Sequence, residues 1–427
     1  MHVYFVGIGG SGLSPLAQLA IDCGYQVSGS DMQKSFGTTE VEKRGVSVIY
    51  DQSGTQMQEL HDKNTIDWVI YTSACKSDSP ELALADKLNI KKGKRDTFIN
   101  TVLQEKNLKM LAIAGTHGKT TTTAMTVWMF KEMNIPVSYL IGSNISFGPA
   151  AHYDPKSEYF VYESDEFDRN FLNYEPFTSV ITNIDYDHPD TYPSIEEYRR
   201  AFEKFVDKKH NNLIMWSDAY SQIKNIRYGE RMVLNLNKSD PATQIHFSEI
   251  RLPGQHNREN ALLSVFLLSW LLGLEVSTLL KKVTTFPGTQ RRFEKINKDV
   301  YSDYAHHPTE IAATLQLARE LGDKIVVLYQ PHQNLRQHQI KELYDDCFAL
   351  ADTVYWLPTF LSREDPNIPI ISAQNLSQYA KNTKVITVEL TEALKTQLTG
   401  ELKDHKIIVA MGAGSIDSWM RENFKNT

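Results

Sequence analysis

Short apolar runs alternate along the chain with longer stretches in which apolar residues recur at helical spacing. In the first 107 residues apolar strands are expected near 2–6, 25–30, 46–50 and 67–72, with helices between them. From residue 108 the alternation continues through strands at 111–114, 158–162 and 179–182, and it ends in an apolar helix after Asn257. Phe286-Pro-Gly-Thr-Gln290 is a turn-rich break. Beyond it, strands at 324–329, 353–357, 384–388 and 406–411 restart the pattern. Strands alternating with helices predict an α/β chain of doubly wound sheets. The breaks divide it into 1–107, 108–287 and 288–427, and a length of 427 residues agrees with about three domains. The longest apolar stretch, 261–274, is too short to span a bilayer and reads as a core helix.

Two of the strand-to-helix turns carry chemistry. Leu111-Ala-Ile-Ala-Gly-Thr-His-Gly-Lys-Thr-Thr121 reads as strand, glycine turn and first helical turn. Gly115 and Gly118 let the backbone aim its N–H groups at a phosphate, with Thr116 and His117 between them. Lys119 supplies charge for the outer phosphates, and Thr120, followed by Thr121, a hydroxyl for the accompanying Mg²⁺. The helix adds its positive dipole end to the same anion. This is a phosphate loop with a shortened Gly-x-x-Gly-Lys-Thr core, and it predicts ATP binding. The second turn, Gly7-Ile-Gly-Gly-Ser-Gly12, follows the first strand, and Gly7, Gly9 and Gly12 fit the diphosphate-binding Gly-x-Gly-x-x-Gly. Asp31, closing the next strand, falls where a ribose hydroxyl would be met. Alone this turn suggests NAD or FAD. Two phosphate loops on one chain suggest instead one nucleotide consumed and another carried as a handle on the substrate.

Composition narrows the partners. A net charge of −7 leaves no broad basic surface, which excludes nucleic acid as the expected partner. Lys91-Lys-Gly-Lys-Arg95 reads as a solvated interdomain turn or a contact for an anionic substrate. Cys23, Cys75 and Cys347 form no metal or disulfide pattern and fit a reducing cytoplasm. The chain enters a strand at once, with no signal peptide expected. Glu163-Ser-Asp-Glu-Phe-Asp168 and Asn183-Ile-Asp-Tyr-Asp-His188 follow two central strands and read equally as solvated acidic loops or as metal ligands.

Taken in order, Gly7–Gly12, Gly115–Thr121, Thr182–His188, Gly254-Gln-His-Asn-Arg-Glu-Asn260, Arg291-Arg-Phe-Glu294 and Asp303-Tyr-Ala-His-His-Pro-Thr-Glu310 resemble the motifs of the Mur ligases, and more narrowly of their alanine-adding branch. The resemblance runs from residue 2 to about residue 415. It implies a Rossmann-like N-terminal domain that binds a UDP-sugar, a central P-loop ATPase domain and a Rossmann-like C-terminal domain on the amino-acid side. It implies ligation of L-alanine to the lactyl carboxylate of UDP-N-acetylmuramate through an acyl phosphate, with ATP and Mg²⁺ or Mn²⁺. A cytoplasmic enzyme of peptidoglycan synthesis, monomer or weak dimer, with no nucleic acid or membrane partner, follows from the same likeness.

The resemblance also assigns roles. Gly7, Gly9, Gly10, Gly12, Asp31 and Ser73 would meet the UDP-sugar. Lys119 and Thr120 would hold the β/γ-phosphates, and Thr120, Glu163 and His188 the metal. His256 and Asn260 would lie by the adenine, and Arg292 and Asp303 would reach phosphate and ribose. Tyr304, His307, His332, Gln333 and Arg336 would line the amino-acid side, with His332 or His307 assisting deprotonation of the amine. His306 and His338 read as ordinary structural histidines. Three departures stand out. Phe202 falls where many family members carry a metal-bridging modified lysine, a lysine that the alanine-adding branch also lacks. Gln333 replaces one of two arginines beside the amino-acid carboxylate, leaving Arg336, unless Arg363 has moved in. The 141–148 loop is shorter than the family's. Two alternatives remain: a recycling ligase attaching a tripeptide to the same sugar, and a catalytically silent nucleotide-binding relative. Retention of Gln330-Pro-His332 favours the single amino acid, and intact Lys119, Thr120, Glu163 and His188 favour an active enzyme.

Overall fold

The computed structural model describes residues 1–72, 75–76, 78–208, 212–224, 226, 231–362 and 364–425. Two compact units emerge: residues 1–115, 123–182 and 201–236 form the first, and 116–122, 183–200 and 237–427 the second.

The first unit holds two sheets. Strands β1 (His2–Val6), β2 (Gln26–Ser30), β3 (Val48–Ile49), β4 (Trp68–Tyr71) and β5 (Lys91–Gly93) lie in the order β3-β2-β1-β4-β5, all parallel. β1 is central and buried along its whole length, which explains its unbroken apolar run. A polar device interrupts that core. Tyr4 Oη donates to Glu81 Oε1 at 2.6 Å and Ser30 Oγ to Glu81 Oε2 at 2.7 Å, so the buried carboxyl has a donor on each oxygen. The second sheet contains β6 (Lys109–Ala114), β7 (Ser138–Leu140), β8 (Ala151–His152), β9 (Tyr159–Glu163), β10 (Thr178–Ile181), β11 (Asn212–Trp216) and β12 (Val233–Leu236), in the order β12-β11-β10-β6-β9-β7-β8. Only the edge strand β8 is antiparallel. The carboxyl ends of β6, β9 and β10 therefore lie side by side, each opening into one of the loops singled out from sequence.

The second unit is built on β13 (Glu294–Asn297), β14 (Val300–Asp303), β15 (Ile325–Tyr329), β16 (Thr353–Trp356), β17 (Val385–Thr387) and β18 (Ile407–Met411), in the order β13-β14-β18-β15-β16-β17. The β13–β14 hairpin is antiparallel and the remaining pairings are parallel. Alternation along β15 sends Ile325, Val327 and Tyr329 into one apolar cluster and Val326 and Leu328 into the other, so helices cover both faces. Each such fully buried aliphatic side chain contributes about 1.5–3 kcal/mol of transfer free energy.

The expected alternation is present in all three sheets, with one correction. Lys91–Arg95 is not a turn. Lys91–Gly93 is edge strand β5, paired with β4, and Arg95 opens the helix Arg95–Glu105. An edge strand tolerates charged residues because one side faces water. The Lys91 ammonium lies 3.8 Å above the Trp68 ring, and Lys92 pairs with Asp86 at 2.6 Å. Phe202 is buried, edge-on to Phe171 at 5.1 Å, as the apolar residue at that position requires.

Candidate active site

The glycine turn after β6 has the backbone its sequence demands. Gly115 and Gly118 adopt φ of +129° and +80°, a region that L side chains rarely enter. A Cβ on Gly118 would stand 2.7 Å from the Asn260 amide oxygen, so this glycine is fixed by close approach as well as by conformation. Lys119 and Thr120 open the helix Lys119–Glu132. The Lys119 ammonium donates to the Thr116 carbonyl at 2.9 Å, folded back over its own loop. Arg292 Nη2 donates to Thr120 Oγ1 at 3.4 Å and its guanidinium lies over the Tyr304 ring. Asn260, Arg292 and Tyr304 thus lie close to Thr120 and the loop.

Asp303, which the resemblance has reaching the ribose, is held by two backbone donors. Its two carboxylate oxygens accept from the Phe293 and Ala305 N–H groups, each at 2.7 Å. Burial raises its pKa, and those donors work against the rise. In the structure it braces the segment carrying Arg292 and Tyr304. His256, near the start of the helix Gln255–Leu272, is held neutral by burial, with its pKa pushed down to about 4. Its Nδ1 is buried with no hydrogen-bond partner among the described residues.

His117 sits between two carboxylates. Its Nε2 is 3.2 Å from Asp185 Oδ2 and its Nδ1 3.2 Å from Glu310 Oε1. Burial opposes a charge on this ring, but the two carboxylates override it and hold the pKa up at about 9. Asp185 is held down at about 2, again against burial, by His117 and Thr309. The Asp185 loop is pinned to the phosphate loop at the backbone: Thr116 Oγ1 donates to the Asp185 carbonyl at 2.7 Å, and Asp185 N–H donates to Thr116 Oγ1 at 2.9 Å. The His307 ring packs 5.0 Å from His117 and is kept neutral chiefly by burial. His306 is neutral for the same reason, with a pKa near 3. Its ring sits against Tyr304 and His332, and its backbone N–H donates to Glu310.

A second buried pair joins the 183–188 loop to the segment after β15. Arg336 Nη2 lies 3.1 Å from Asp187 Oδ1, with both side chains almost fully buried. Arg336 and His188 hold the Asp187 carboxyl well below the usual range, although burial pulls the other way. Asp187 also accepts from the His188 N–H at 2.7 Å, and His188 takes a left-handed φ of +54°. The Nε of Arg336 is buried without a hydrogen-bond partner among the described residues. Beside it lies a small cavity lined by Pro189, Asp190, Gln333, Leu335, Arg336 and Glu364. Gln333 has φ of +62° and donates Nε2 to the Ser362 carbonyl at 3.4 Å. His332 stacks on Phe360 with ring centroids 5.8 Å apart. His338 lies apart, its Nε2 on the Pro369 carbonyl at 2.9 Å.

In the first unit the N-terminal turn is held by its own neighbours. Asp31 Oδ2 accepts from Gly9 N–H at 2.8 Å, so this carboxylate already serves the glycine turn. A Cβ on Gly9 would stand 2.4 Å from Thr38 Cγ2 and 2.6 Å from Ser35 Oγ. Gly7 has φ of +81°, Gly10 N–H donates to Gly7 O, and a Cβ on Gly12 would meet only the tip of Arg95. Glu163 Oε2 accepts from Gly142 N–H at 2.7 Å, tying the 141–148 loop to the end of β9. Within the acidic loop Ser164 and Glu166 are buried, so it is not simply solvated. Ser73 and Arg363 lie outside the described residues. Sequence reasoning assigned no role to Asp185, Asp187, Glu310 or Glu364. The first three stood inside quoted motifs, and their acidic character beside histidines was the available signal.

Family models match the chain in order: the Mur ligase family catalytic domain over residues 2–107, the Mur ligase middle domain over 113–268 and the Mur ligase glutamate ligase domain over 291–414. The UDP-N-acetylmuramate–L-alanine ligase of Dictyoglomus turgidum is 31% identical, covering 97% of this chain and 94% of the relative. The enzyme of that name from Clostridium novyi is 32% identical, covering 97% of this chain and 95% of the relative. Among solved structures, the UDP-N-acetylmuramate-alanine ligase of Thermotoga maritima superposes with a TM-score of 0.74 at 24% identity, covering 99% of this chain and 98% of that one. A murein peptide ligase from Psychrobacter arcticus superposes at 0.65 and 21% identity, covering 100% of this chain and 99% of that one. At these identities the structures attest the three-domain fold. With all three models matched in chain order, and relatives above 30% identity along nearly its whole length, the chain belongs to the Mur ligase family.

Proposed function

We propose that this chain ligates L-alanine to the lactyl carboxylate of UDP-N-acetylmuramate at the expense of ATP, as a step of peptidoglycan precursor synthesis. The observation that carries this reading is the likeness, over 97% of the chain, to relatives bearing that activity in their names. The phosphate loop it needs is intact. A lactyl carboxylate oxygen attacks the γ-phosphorus, the bond to the β-bridging oxygen breaks, and ADP leaves. The uncharged amine then attacks the acyl carbon, and phosphate departs with the carboxylate oxygen. Lys119, Arg292 and the loop N–H groups neutralise the crowded phosphates during transfer. Water exclusion matters because an acyl phosphate hydrolyses readily.

In this reading Thr120, Glu163 and His188 hold Mg²⁺, with Mn²⁺ as a substitute. A hydroxyl, a carboxylate and one imidazole form an acceptable donor set for these cations, in which oxygen predominates. The cation supplies charge for the leaving and attacking oxygens. Gly115, Thr116, His117, Gly118 and Thr121 complete the ATP loop, with His256 and Asn260 toward the adenine. Gly7, Gly9, Gly10, Gly12, Asp31 and Ser73 face the UDP-sugar. Arg292 and Asp303 reach the phosphate and ribose, and Asp303 also braces the segment that carries Arg292 and Tyr304. On the amino-acid side stand Tyr304, His307, His332, Gln333 and Arg336. The buried Nε of Arg336, without a hydrogen-bond partner among the described residues, favours a ligand carboxylate there. His307 or His332 takes the amine proton, and burial keeps His307 neutral and able to accept it.

The domain limits follow as 1–107, 108–287 and 288–427. No described helix is long and apolar enough to cross a membrane. A cytoplasmic monomer or weak dimer agrees with the same reading. ADP release with ATP, Mg²⁺ and UDP-N-acetylmuramate tests the proposal, comparing L-alanine, glycine, L-serine and the murein tripeptide. L-alanine should give the highest kcat/KM, and preference for the tripeptide would overturn the assignment.

A further inference from the structure

His117, Asp185 and His307 each offer one ligand atom, and the three atoms lie within 4.8 Å of one another. Two of the separations share one oxygen: Asp185 Oδ2 is 3.2 Å from His117 Nε2 and 3.8 Å from His307 Nδ1. Ligands at zinc distances of about 2.0–2.2 Å in a tetrahedral shell stand about 3.3 Å apart. The two separations from Asp185 Oδ2 are within about half an ångström of that spacing, and the remaining one, bounded at 4.8 Å, needs to close by about 1.5 Å at most for the three to share one ion.

The surroundings support a cation more specifically than the distances do. His307 Nδ1 accepts from the Thr309 N–H at 3.4 Å, so the nitrogen facing Asp185 is an acceptor facing an acceptor. Its other nitrogen, Nε2, is buried with no hydrogen-bond partner among the described residues, in a side chain only 1% exposed. Glu310 Oε1, 3.2 Å from His117 Nδ1, is placed like the outer carboxylate that orients a metal-bound histidine and presents its Nε2 to the ion. Thr309 Oγ1 fixes Asp185 Oδ2 from outside at 2.6 Å. Asp185 is 38% exposed, which leaves one side of the cluster open for water and for entry. Two imidazoles with one carboxylate suit zinc, cobalt, nickel or copper better than magnesium, which prefers oxygen donors.

We propose that His117, Asp185 and His307 form a binding site for one zinc-class divalent ion, separate from the magnesium that accompanies ATP. The ion takes the place of the proton between His117 Nε2 and Asp185 Oδ2. It ties the phosphate loop to the N-cap of the helix Pro308–Leu321 and takes the His307 Nδ1 lone pair from the Thr309 N–H. If the ligase reading holds, zinc bound there inhibits ligation, an effect that rests on that reading, whereas the binding itself does not.

Metal-stripped full-length protein titrated with Co²⁺ alone, without nucleotide, tests the site. Visible d–d absorption of low-coordinate cobalt should develop to a single equivalent, Zn²⁺ should abolish it, and a large excess of Mg²⁺ should not. Asp185→Asn, which keeps the side chain's shape, and His307→Ala should each weaken cobalt affinity by about tenfold or more. His188→Ala should leave the spectrum and affinity unchanged. Absence of the absorption, its loss in His188→Ala, or its full retention in both site variants would overturn the proposal. If the cobalt spectrum behaves as expected but zinc at the same stoichiometry leaves ADP release untouched, the inhibitory consequence fails and the site stands.

Discussion

Replacing Arg336 by alanine removes one half of a pair whose side chains are 6% and 7% exposed and 3.1 Å apart. Deleting one member of a buried pair costs about 3–5 kcal/mol, because the remaining charge stays desolvated without its counter-charge. Asp187 would keep the His188 N–H as a donor but lose the guanidinium that most lowers its pKa. The sign of the pH dependence follows. A carboxyl depressed in the folded state adds stability above its unfolded pKa, and that stability is lost as pH falls through the folded pKa. In Arg336→Ala the folded pKa of Asp187 rises, so the deficit against the parent is full at pH 7. It shrinks toward about pH 4, where the unpaired carboxyl takes up a proton. Adding Asp187→Asn to Arg336→Ala should recover most of the loss, since no buried charge then remains. Urea unfolding followed by far-UV circular dichroism at both pH values measures all three proteins. A deficit below about 0.5 kcal/mol at pH 7, the range of an ordinary surface substitution, would refute the reasoning. So would a large deficit that does not depend on pH. In steady state the same variant should raise the KM for L-alanine, because the unpartnered Nε is lost with the pair.

Lys119→Ala should lower ligation by about two to four orders of magnitude while UDP-N-acetylmuramate binding by calorimetry is nearly unchanged; near-parental turnover would remove the phosphate-loop assignment. Gly9→Val should lose both UDP-sugar affinity and thermal stability, since the added atoms collide with Thr38 and Ser35 before any ligand arrives. NAD at micromolar concentration should give no calorimetric signal, and a signal would revive a dinucleotide reading. Gln333→Arg should lower the KM for L-alanine by about 1 kcal/mol equivalent, as a charge-assisted hydrogen bond replaces a neutral one; an unchanged or higher KM counts against this placement of the carboxylate.

The sheets were legible in sequence because central parallel strands are buried on both faces and read as unbroken apolar runs. Strands β1, β15 and β18 show this plainly. Edge strands were read unevenly: β3 and β17 were expected, and β5 was not. β5 carries Lys91 and Lys92, and its membership rests on pairing with β4 and on the Trp68 ring beneath Lys91. The glycine turns were legible because their left-handed or close-packed backbones exclude most other residues, as at Gly118. The partners of the site histidines were not. Glu310 reaches His117 across 193 residues of chain and Arg336 meets Asp187 from a different motif, so only the fold reveals that each charge is already paired. Asp31 and Asp303 carry a further role that sequence did not show. Besides the ligand contacts expected of them, their carboxylates accept from backbone N–H groups of the loops themselves.

The route of one oxygen atom tests the account most directly. UDP-N-acetylmuramate labelled with ¹⁸O in the lactyl carboxylate, incubated with the enzyme, ATP, Mg²⁺ and L-alanine, should release phosphate carrying a single ¹⁸O. The nucleotide product should gain the mass of one alanyl residue, because the acyl phosphate hands its bridging oxygen to phosphate when the amine attacks. Unlabelled phosphate, or ATP cleavage that proceeds without any gain of mass on the sugar nucleotide, would contradict the ligase.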